Sequence, residues 1–195
     1  MVLGSGGMVN SFGERGRDMV QQGDLFNPYN LSGAWVLELS SRSETLERYL
    51  RCMLMSDAAI RAQVSGERSH ESRNVIAISG STMVMHKRTK LTCCTESYEL
   101  GREKVTQTRF GTKRSIASFG GRGRADGFVL TTTMPTSSGQ IRLVETRQVL
   151  EGGRTMAQIL HLGNLSTGEQ SVTRRTWVRT SMSELDEEMV DFWPS

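Results

Sequence analysis

The stretch from residue 141 to residue 180 contains three consecutive strand patterns joined by two short turns. Ile141 to Leu150 leads through Glu151-Gly152-Gly153 into Arg154 to Leu165, and Ser166-Thr167-Gly168-Glu169 then leads into Gln170 to Thr180. Turn residues of this kind between strands are typical of antiparallel hairpins. A chain that ends in this way is strongly constrained to an antiparallel sheet.

Strand alternation then decides which side chains of this stretch share a face. On the last strand one face carries Ser171, Thr173, Arg175, Trp177 and Arg179, and on the first it carries Leu143, Glu145, Arg147 and Val149. An unpaired charge inside a small barrel costs several kcal/mol, so an inward cation needs a partner. If these faces point inward, Arg147 and Arg175 predict an anion pocket.

Five short motifs, in this order along the chain, resemble those of one family. They are Gly33-Ala34-Trp35-Val36-Leu37, Gly80-Ser81, Ser97-Tyr98-Glu99-Leu100-Gly101, Arg147-Gln148-Val149-Leu150-Glu151-Gly152 and Arg175-Thr176-Trp177. The sequence resembles the intracellular fatty-acid-binding and cellular retinoid-binding proteins, the β-clam branch of the calycins. In the last motif Trp177 stands where that family has Tyr.

The resemblance implies an all-β fold: a ten-stranded antiparallel β-barrel of lipocalin/calycin type with a helix-turn-helix lid. Trp35 would plug the barrel base. Ser41-x-x-Glu44 is a capping box that predicts the first lid helix, and Ser56-Asp57 predicts a second, short helix through Ala58, Ile60 and Arg61. The lid residues that we expect over the barrel are Tyr49, Leu50, Met53 and Ile60.

The remaining strands are predicted from alternating patterns with glycine-bearing turns. They span Leu31 to Leu39, Asn74 to Ser79, Met83 to Lys90, Leu91 to Glu99, Lys104 to Phe110, Lys113 to Phe119 and Gly127 to Thr133. The glycine-rich stretch 120–127 is interpreted as a hairpin turn, since it lacks the Lys-Ser/Thr of a phosphate loop and no helix pattern follows it.

Three regions are predicted within the 195 residues. Residues 1–29 form an extended arm with six glycines, residues 30–181 form the barrel, and residues 182–195 form an acidic tail. The tail holds five of the 21 acidic residues and no Lys or Arg, so the rest of the chain has 24 basic against 16 acidic residues, or +8. Most of these cations are interpreted as solvated outward strand positions.

Composition also predicts the compartment and excludes several function classes. No long apolar run or signal-peptide core is present, so neither a transmembrane segment nor secretion is expected. Three cysteines, Cys52, Cys93 and Cys94, fit a reducing compartment such as the cytoplasm, and no redox or metal role is predicted for them. The isolated His70, His86 and His161 match no metal-ligand spacing, and no enzyme motif, cofactor site or nucleic-acid partner is predicted.

The resemblance implies a carrier of a fatty acid or similar amphiphile. Arg147 and Arg175, aided by Trp177, would hold the ligand carboxylate, because the planar guanidinium meets a carboxylate at two points. Each methylene of the ligand tail that is buried would contribute about 0.8 kcal/mol.

Two residues favour a different function for the same fold. Glu145 could neutralise Arg147 from within, and Trp177 fills more volume than Tyr, so the cavity could be closed. The alternative is a non-enzymatic structural subunit, a ligand-free barrel docked by residues 1–29 and 182–195 into a large assembly such as flagellar microtubules or an organelle complex. Phe192 and Trp193 in the acidic tail are the predicted docking residues.

Overall fold

The computed structural model describes residues 28–41, 45–120, 127–137 and 139–181. The acidic tail with Phe192 and Trp193, most of the N-terminal arm, the turn at 121–126 and Glu44 of the capping box lie outside the described residues. The division into three regions therefore stays a prediction.

Ten antiparallel strands form one sheet that curls into a nearly closed barrel. They are β1 (Gly33–Leu37), β2 (Arg73–Ser79), β3 (Thr82–Arg88), β4 (Cys93–Glu99), β5 (Glu103–Thr108), β6 (Gly111–Phe119), β7 (Phe128–Thr136), β8 (Gly139–Leu150), β9 (Thr155–Asn164) and β10 (Gln170–Thr180). The predicted all-β fold with a helical lid is confirmed.

Strand order along the sheet is β4-β3-β2-β1-β10-β9-β8-β7-β6-β5. Strands that are neighbours in the sequence pair with each other, except β4 and β5. Strand β1 also pairs with β10, which brings the two ends of the barrel sequence together. Strand β4 forms one edge of the sheet and β5 forms the other. Side chains span this seam: Lys104 donates to the backbone oxygen of Ser97 at 2.9 Å, and Lys113 lies 3.2 Å from Glu96.

Two helices between β1 and β2 form the lid, α1 (Thr45–Cys52) and α2 (Asp57–Ser69). Ser56 caps α2 by accepting a hydrogen bond from the Ala59 N–H, as predicted. Ser41 accepts instead from the Thr176 N–H of β10 at 2.6 Å. The prediction that α2 is short was wrong, because Ile60, Val64 and Glu67 continue a helical spacing to Ser69.

The base of the barrel is closed around Trp35, which has no exposed surface. Its indole N–H donates to the Leu31 carbonyl at 2.9 Å, and the Arg179 guanidinium lies 4.2 Å from its ring. Arg179 also donates to the carbonyls of Ser32 and Gly153. These contacts join the start of β1, the β8–β9 turn and the end of β10, so Arg179 serves the fold at this end.

An apolar core fills the space above this base. It includes Leu37, Ile76, Met83, Met85, Tyr98, Ala117, Phe128, Leu130, Met156 and Trp177. Within the described ranges, no helix combines the length and the apolar character that a membrane crossing requires.

Candidate functional site

A cavity of about 310 Å³ lies between the lid and the upper half of the barrel. Its lid side is formed by Leu46, Tyr49, Leu50, Met53, Met55 and Gln63. Its barrel side includes Leu143, Leu160 and Trp177 together with Lys87, Arg88, Glu145, Arg147, Gln158 and Arg175. A pocket that is apolar on one side and polar on the other suits an amphiphile, and its volume is at the lower end of the range of about 300–1,000 Å³ for small-molecule sites.

The two predicted arginines lie in one row across three strands. Arg147 of β8 is opposite Gln158 of β9, and Gln158 is opposite Arg175 of β10. Directly opposed residues point to the same face, and neighbouring strands are about 4.8 Å apart. The register therefore turns both arginines into the barrel, with the Gln158 amide between them.

Arg147 belongs to a buried polar network. Its Nε donates to Glu145 Oε1, and Gln158 Nε2 donates to the same oxygen at 2.8 Å. The Trp177 indole N–H donates to Gln158 Oε1 at 2.9 Å, and the Trp177 ring centroid lies 6.0 Å from the Arg147 guanidinium. Trp177 thus supplies an N–H donor at the position where the resemblance implied a Tyr hydroxyl.

Glu145 is the internal counter-ion of Arg147. Burial pushes the pKa of this carboxyl upwards, but Arg147, Lys87 and the hydrogen bonds from Arg147 and Gln158 outweigh burial and hold the pKa well below its usual range. The side chains of Arg147 and Glu145 are 1% and 5% exposed. The carboxylate therefore stays ionised inside the barrel and occupies one edge of the Arg147 guanidinium.

Arg175 is paired with the lid. Its Nη2 lies 2.8 Å from Glu67 Oε1 of α2, and both side chains are mostly buried. The Arg175 Nε–H is buried and has no hydrogen-bond partner within the described residues. An unpaired buried donor costs about 1–3 kcal/mol, so a hydrogen-bond acceptor at this position would be favourable.

Lys87 is the third cation of the cavity that has a carboxylate partner. Its Nζ lies 2.8 Å from Glu96 Oε2, and Lys113 of β6 contacts the other oxygen of Glu96. Burial alone would raise the pKa of Glu96, but the two lysines and their hydrogen bonds lower it to about 2. Glu96 therefore links β3, β4 and β6 across the seam.

Three of the four predicted lid residues line the cavity, namely Tyr49, Leu50 and Met53. Burial and the nearby Glu145 raise the pKa of Tyr49 to about 12, so its hydroxyl stays protonated above the cavity. Ile60 packs instead against Leu46 and Leu50 and holds α2 against α1.

Sequence reasoning missed two residues of the site. Gln158 lies between Met156 and Leu160 at two-residue spacing, so all three share the inward face of β9. Strand alternation could therefore have predicted Gln158 as a site residue. Glu67 was missed because the second helix was predicted to end too early. Its spacing of seven from Ile60 would have placed it on the same helix face.

Known structures with this arrangement of strands and helices identify the fold. A structure described as the REP1-NXSQ fatty acid transporter matches with a TM-score of 0.53 and 19% identity, over 80% of this chain and 98% of that chain. Apo lipid binding protein 8 of Caenorhabditis elegans matches with a TM-score of 0.58 and 15% identity, over 77% and 96%. The zebrafish ileal bile acid-binding protein, in complex with cholic acid, matches with a TM-score of 0.52 and 18% identity, over 77% and 99%.

The chain has the fold of the fatty-acid-binding proteins. The resemblance seen in the short sequence motifs is therefore confirmed for the fold. No protein-family profile matches the sequence, and no curated protein matches it either. Within the fatty-acid-binding-protein fold, the cavity described above is the candidate site of this chain.

Proposed function

We propose that this chain is a non-enzymatic carrier that binds a small amphiphile, such as a fatty acid, in the cavity beneath its lid. The observation that supports this function best is the buried Nε–H of Arg175, which has no acceptor within the described residues and belongs to a side chain that lines a cavity with an apolar lid side. A ligand oxygen at that position would satisfy the donor, and the tail would contact Leu46, Leu50 and Leu160.

The head group of the proposed ligand lies in the row of Arg147, Gln158 and Arg175. Glu145 already holds one edge of Arg147, so a carboxylate would use the remaining guanidinium N–H groups and the Arg175 Nε–H. Trp177 would support the head group from below through Gln158. The cytoplasm is the proposed compartment, since all three cysteines are free thiols.

A titration with a fluorescent fatty acid tests this function directly. We expect saturable binding by the wild type, with Kd in the range of about micromolar or tighter, and its loss in an Arg147→Ala/Arg175→Ala double variant. The matched control is Arg142→Ala/Arg174→Ala, which removes two exposed arginines from the same two strands. Arg147→Ala leaves Glu145 as a buried charge without its counter-ion. A triple variant, Glu145→Gln/Arg147→Gln/Arg175→Leu, should therefore be tested beside the double variant.

Absence of binding by a wild-type barrel that is folded by circular dichroism would overturn the carrier function. It would favour a second candidate, a structural subunit that carries no ligand. The observation in its favour is that Lys87, Arg147 and Arg175 each have a protein carboxylate partner. Deletion of residues 1–29 and 182–195 should then leave the barrel folded but release it from its assembly.

A further inference from the structure

A cysteine, a histidine and a threonine form a hydrogen-bonded chain on the outer face of β3 and β4. Cys93 Sγ lies 3.4 Å from His86 Nε2, and His86 Nδ1 lies 2.8 Å from Thr95 Oγ1. Cys93 is exposed, whereas the His86 side chain is almost completely buried. The thiol is thus open to solvent, and its imidazole partner is held in place.

Strand register places these three groups together. His86 is directly opposite Thr95, and Arg88 is directly opposite Cys93. Directly opposed residues share a face and their diagonal neighbours are within reach of long side chains, so Cys93 meets the imidazole diagonally across the pair. Seven positions separate Cys93 from His86 in the sequence, and no metal-ligand or catalytic spacing indicates the contact.

This arrangement is that of an activated nucleophile, in which a base lies within hydrogen-bond reach and a third group orients the base. If His86 donates its Nδ1 hydrogen to the Thr95 hydroxyl, Nε2 is left as the acceptor for the thiol proton. The thiolate is the nucleophilic form of cysteine, and cationic surroundings that are partly exposed favour it.

The groove beside Cys93 is cationic. It is lined by Arg73, Arg88 and Lys90, with Glu71 as the carboxylate, and also by His70. Glu71 is paired with Arg73 at 2.7 Å. A groove with three cations and one carboxylate favours an anionic partner for the thiol.

The other two cysteines lack these features. Burial and then Glu96 raise the pKa of the Cys94 thiol, and burial and then Glu169 raise that of Cys52. Cys94 is opposite Lys87 on the other face of β4, and Cys52 is the buried last residue of α1. Cys94 is therefore a matched control for Cys93, because it is the adjacent residue and is also exposed.

We propose that Cys93, His86 and Thr95 form a thiol–disulfide exchange site that accepts a small anionic disulfide, such as oxidised glutathione. His86 Nε2 takes the Cys93 proton, and the thiolate attacks one sulfur of the disulfide. The disulfide bond breaks as a new bond from Cys93 to that sulfur forms, and the departing thiolate takes the proton from His86. One disulfide is consumed and one is formed, so no further oxidant is needed.

Incubation of the full chain with oxidised glutathione, followed by intact-mass and peptide mass spectrometry, tests the site. We expect one glutathionyl adduct on Cys93 in the wild type and in Cys94→Ser, and none at that peptide in Cys93→Ser. His86→Gln should react slower by about tenfold or more, because it keeps a polar side chain but loses the base. Thr95→Val should react at a rate between those of the wild type and His86→Gln. Because Thr95 is exposed, this variant should still fold if His86→Gln does not.

The preference for anions is measured separately with two alkylating reagents of similar size. The ratio of the iodoacetate rate to the iodoacetamide rate at Cys93 should fall in Arg88→Ala. The control Arg114→Ala should leave it unchanged, because Arg114 lies outside the groove and pairs with Glu103. Modification of Cys94 in preference to Cys93, or equal rates in the wild type, His86→Gln and Thr95→Val, would overturn the proposal.

Discussion

Glu145 and Arg147, two positions apart on β8, form an ion pair that is almost completely buried inside the barrel. The same carboxylate oxygen also accepts a hydrogen bond from Gln158, which in turn accepts one from the Trp177 indole. The pair places a protein carboxylate beside a cation to which the sequence assigned a ligand carboxylate. Under the proposed function, a ligand carboxylate would compete with Glu145 for Arg147.

Replacement of Glu145 by Gln should lower stability and raise the affinity for fatty acids. Loss of one partner of a buried ion pair costs about 3 kcal/mol, because Arg147 is left without its counter-ion. A ligand carboxylate can then form the charge-assisted bond, worth about 1.5–3 kcal/mol, so affinity should rise about tenfold or more. Urea denaturation and fatty-acid titration measure the two effects.

The matched fatty alcohol separates head-group charge from tail burial. Its affinity should be the same in the wild type and in Glu145→Gln, because it has no carboxylate. An equal gain for acid and alcohol would mean that the substitution had only enlarged the cavity.

The Arg175–Glu67 pair should hold the lid against the barrel. Both side chains are mostly buried, so Glu67→Gln should lower stability by about 2–4 kcal/mol and increase hydrogen exchange at the amides of α2. Glu47→Gln is the control on α1, because Glu47 forms an exposed pair with Arg51 that is worth at most about 1 kcal/mol. Similar exchange of α2 in both variants would contradict a role of Glu67 in holding the lid.

Acid should weaken the barrel through Glu96. The folded-state pKa is lowered from 4.5 to about 2, so the stabilisation is present above pH 4.5 and is lost as the pH falls towards 2. The shift corresponds to about 3 kcal/mol. Denaturation between pH 7 and pH 2 should show a smaller loss of stability for Glu96→Gln than for the wild type. Some loss remains, because Glu145 also has a lowered pKa.

Gly127, immediately before β7, lies directly against the backbone of β8. A Cβ at this position would lie 1.7 Å from the Arg147 carbonyl oxygen, so Gly127→Ala should destabilise the chain by about 1–3 kcal/mol or more and shift the strand that carries Arg147. Gly163→Ala is the control, because no atom lies within 4 Å of the equivalent Cβ. Thermal denaturation should show a clear loss for the first variant and little change for the second.

Much of this fold could be predicted from local patterns. The strand Gln170–Thr180 has the predicted bounds, and the shared face of Arg175 and Trp177 follows from the two-residue period alone. The end of α2 was missed because the second lid helix was predicted only through Arg61. The helix continues to Ser69, and Gly66 within it is buried beside Lys90 and Leu91.

The partners of the charged side chains could not be predicted in the same way. The Arg175–Glu67 and Cys93–His86 contacts depend on where a helix and two strands come together in space. The roles of Phe192 and Trp193 stay predictions. Glu145 is different, since it shares the strand with Arg147 and its effect on the anion pocket could be stated as a hypothesis from the sequence.

The sequence by itself determined the antiparallel strands, the helix starts and the faces that carry Arg147 and Arg175, because strand period, turn residues and helix caps are local properties of the chain. The barrel and its lid were implied by the resemblance of the short motifs to one family. Only the tertiary structure decided that Lys87, Arg147 and Arg175 are paired with Glu96, Glu145 and Glu67, and that the Arg175 Nε–H is buried without a partner within the described residues. Pairing of buried charges depends on distance and desolvation, and both are set by the packing of elements that are far apart in the sequence.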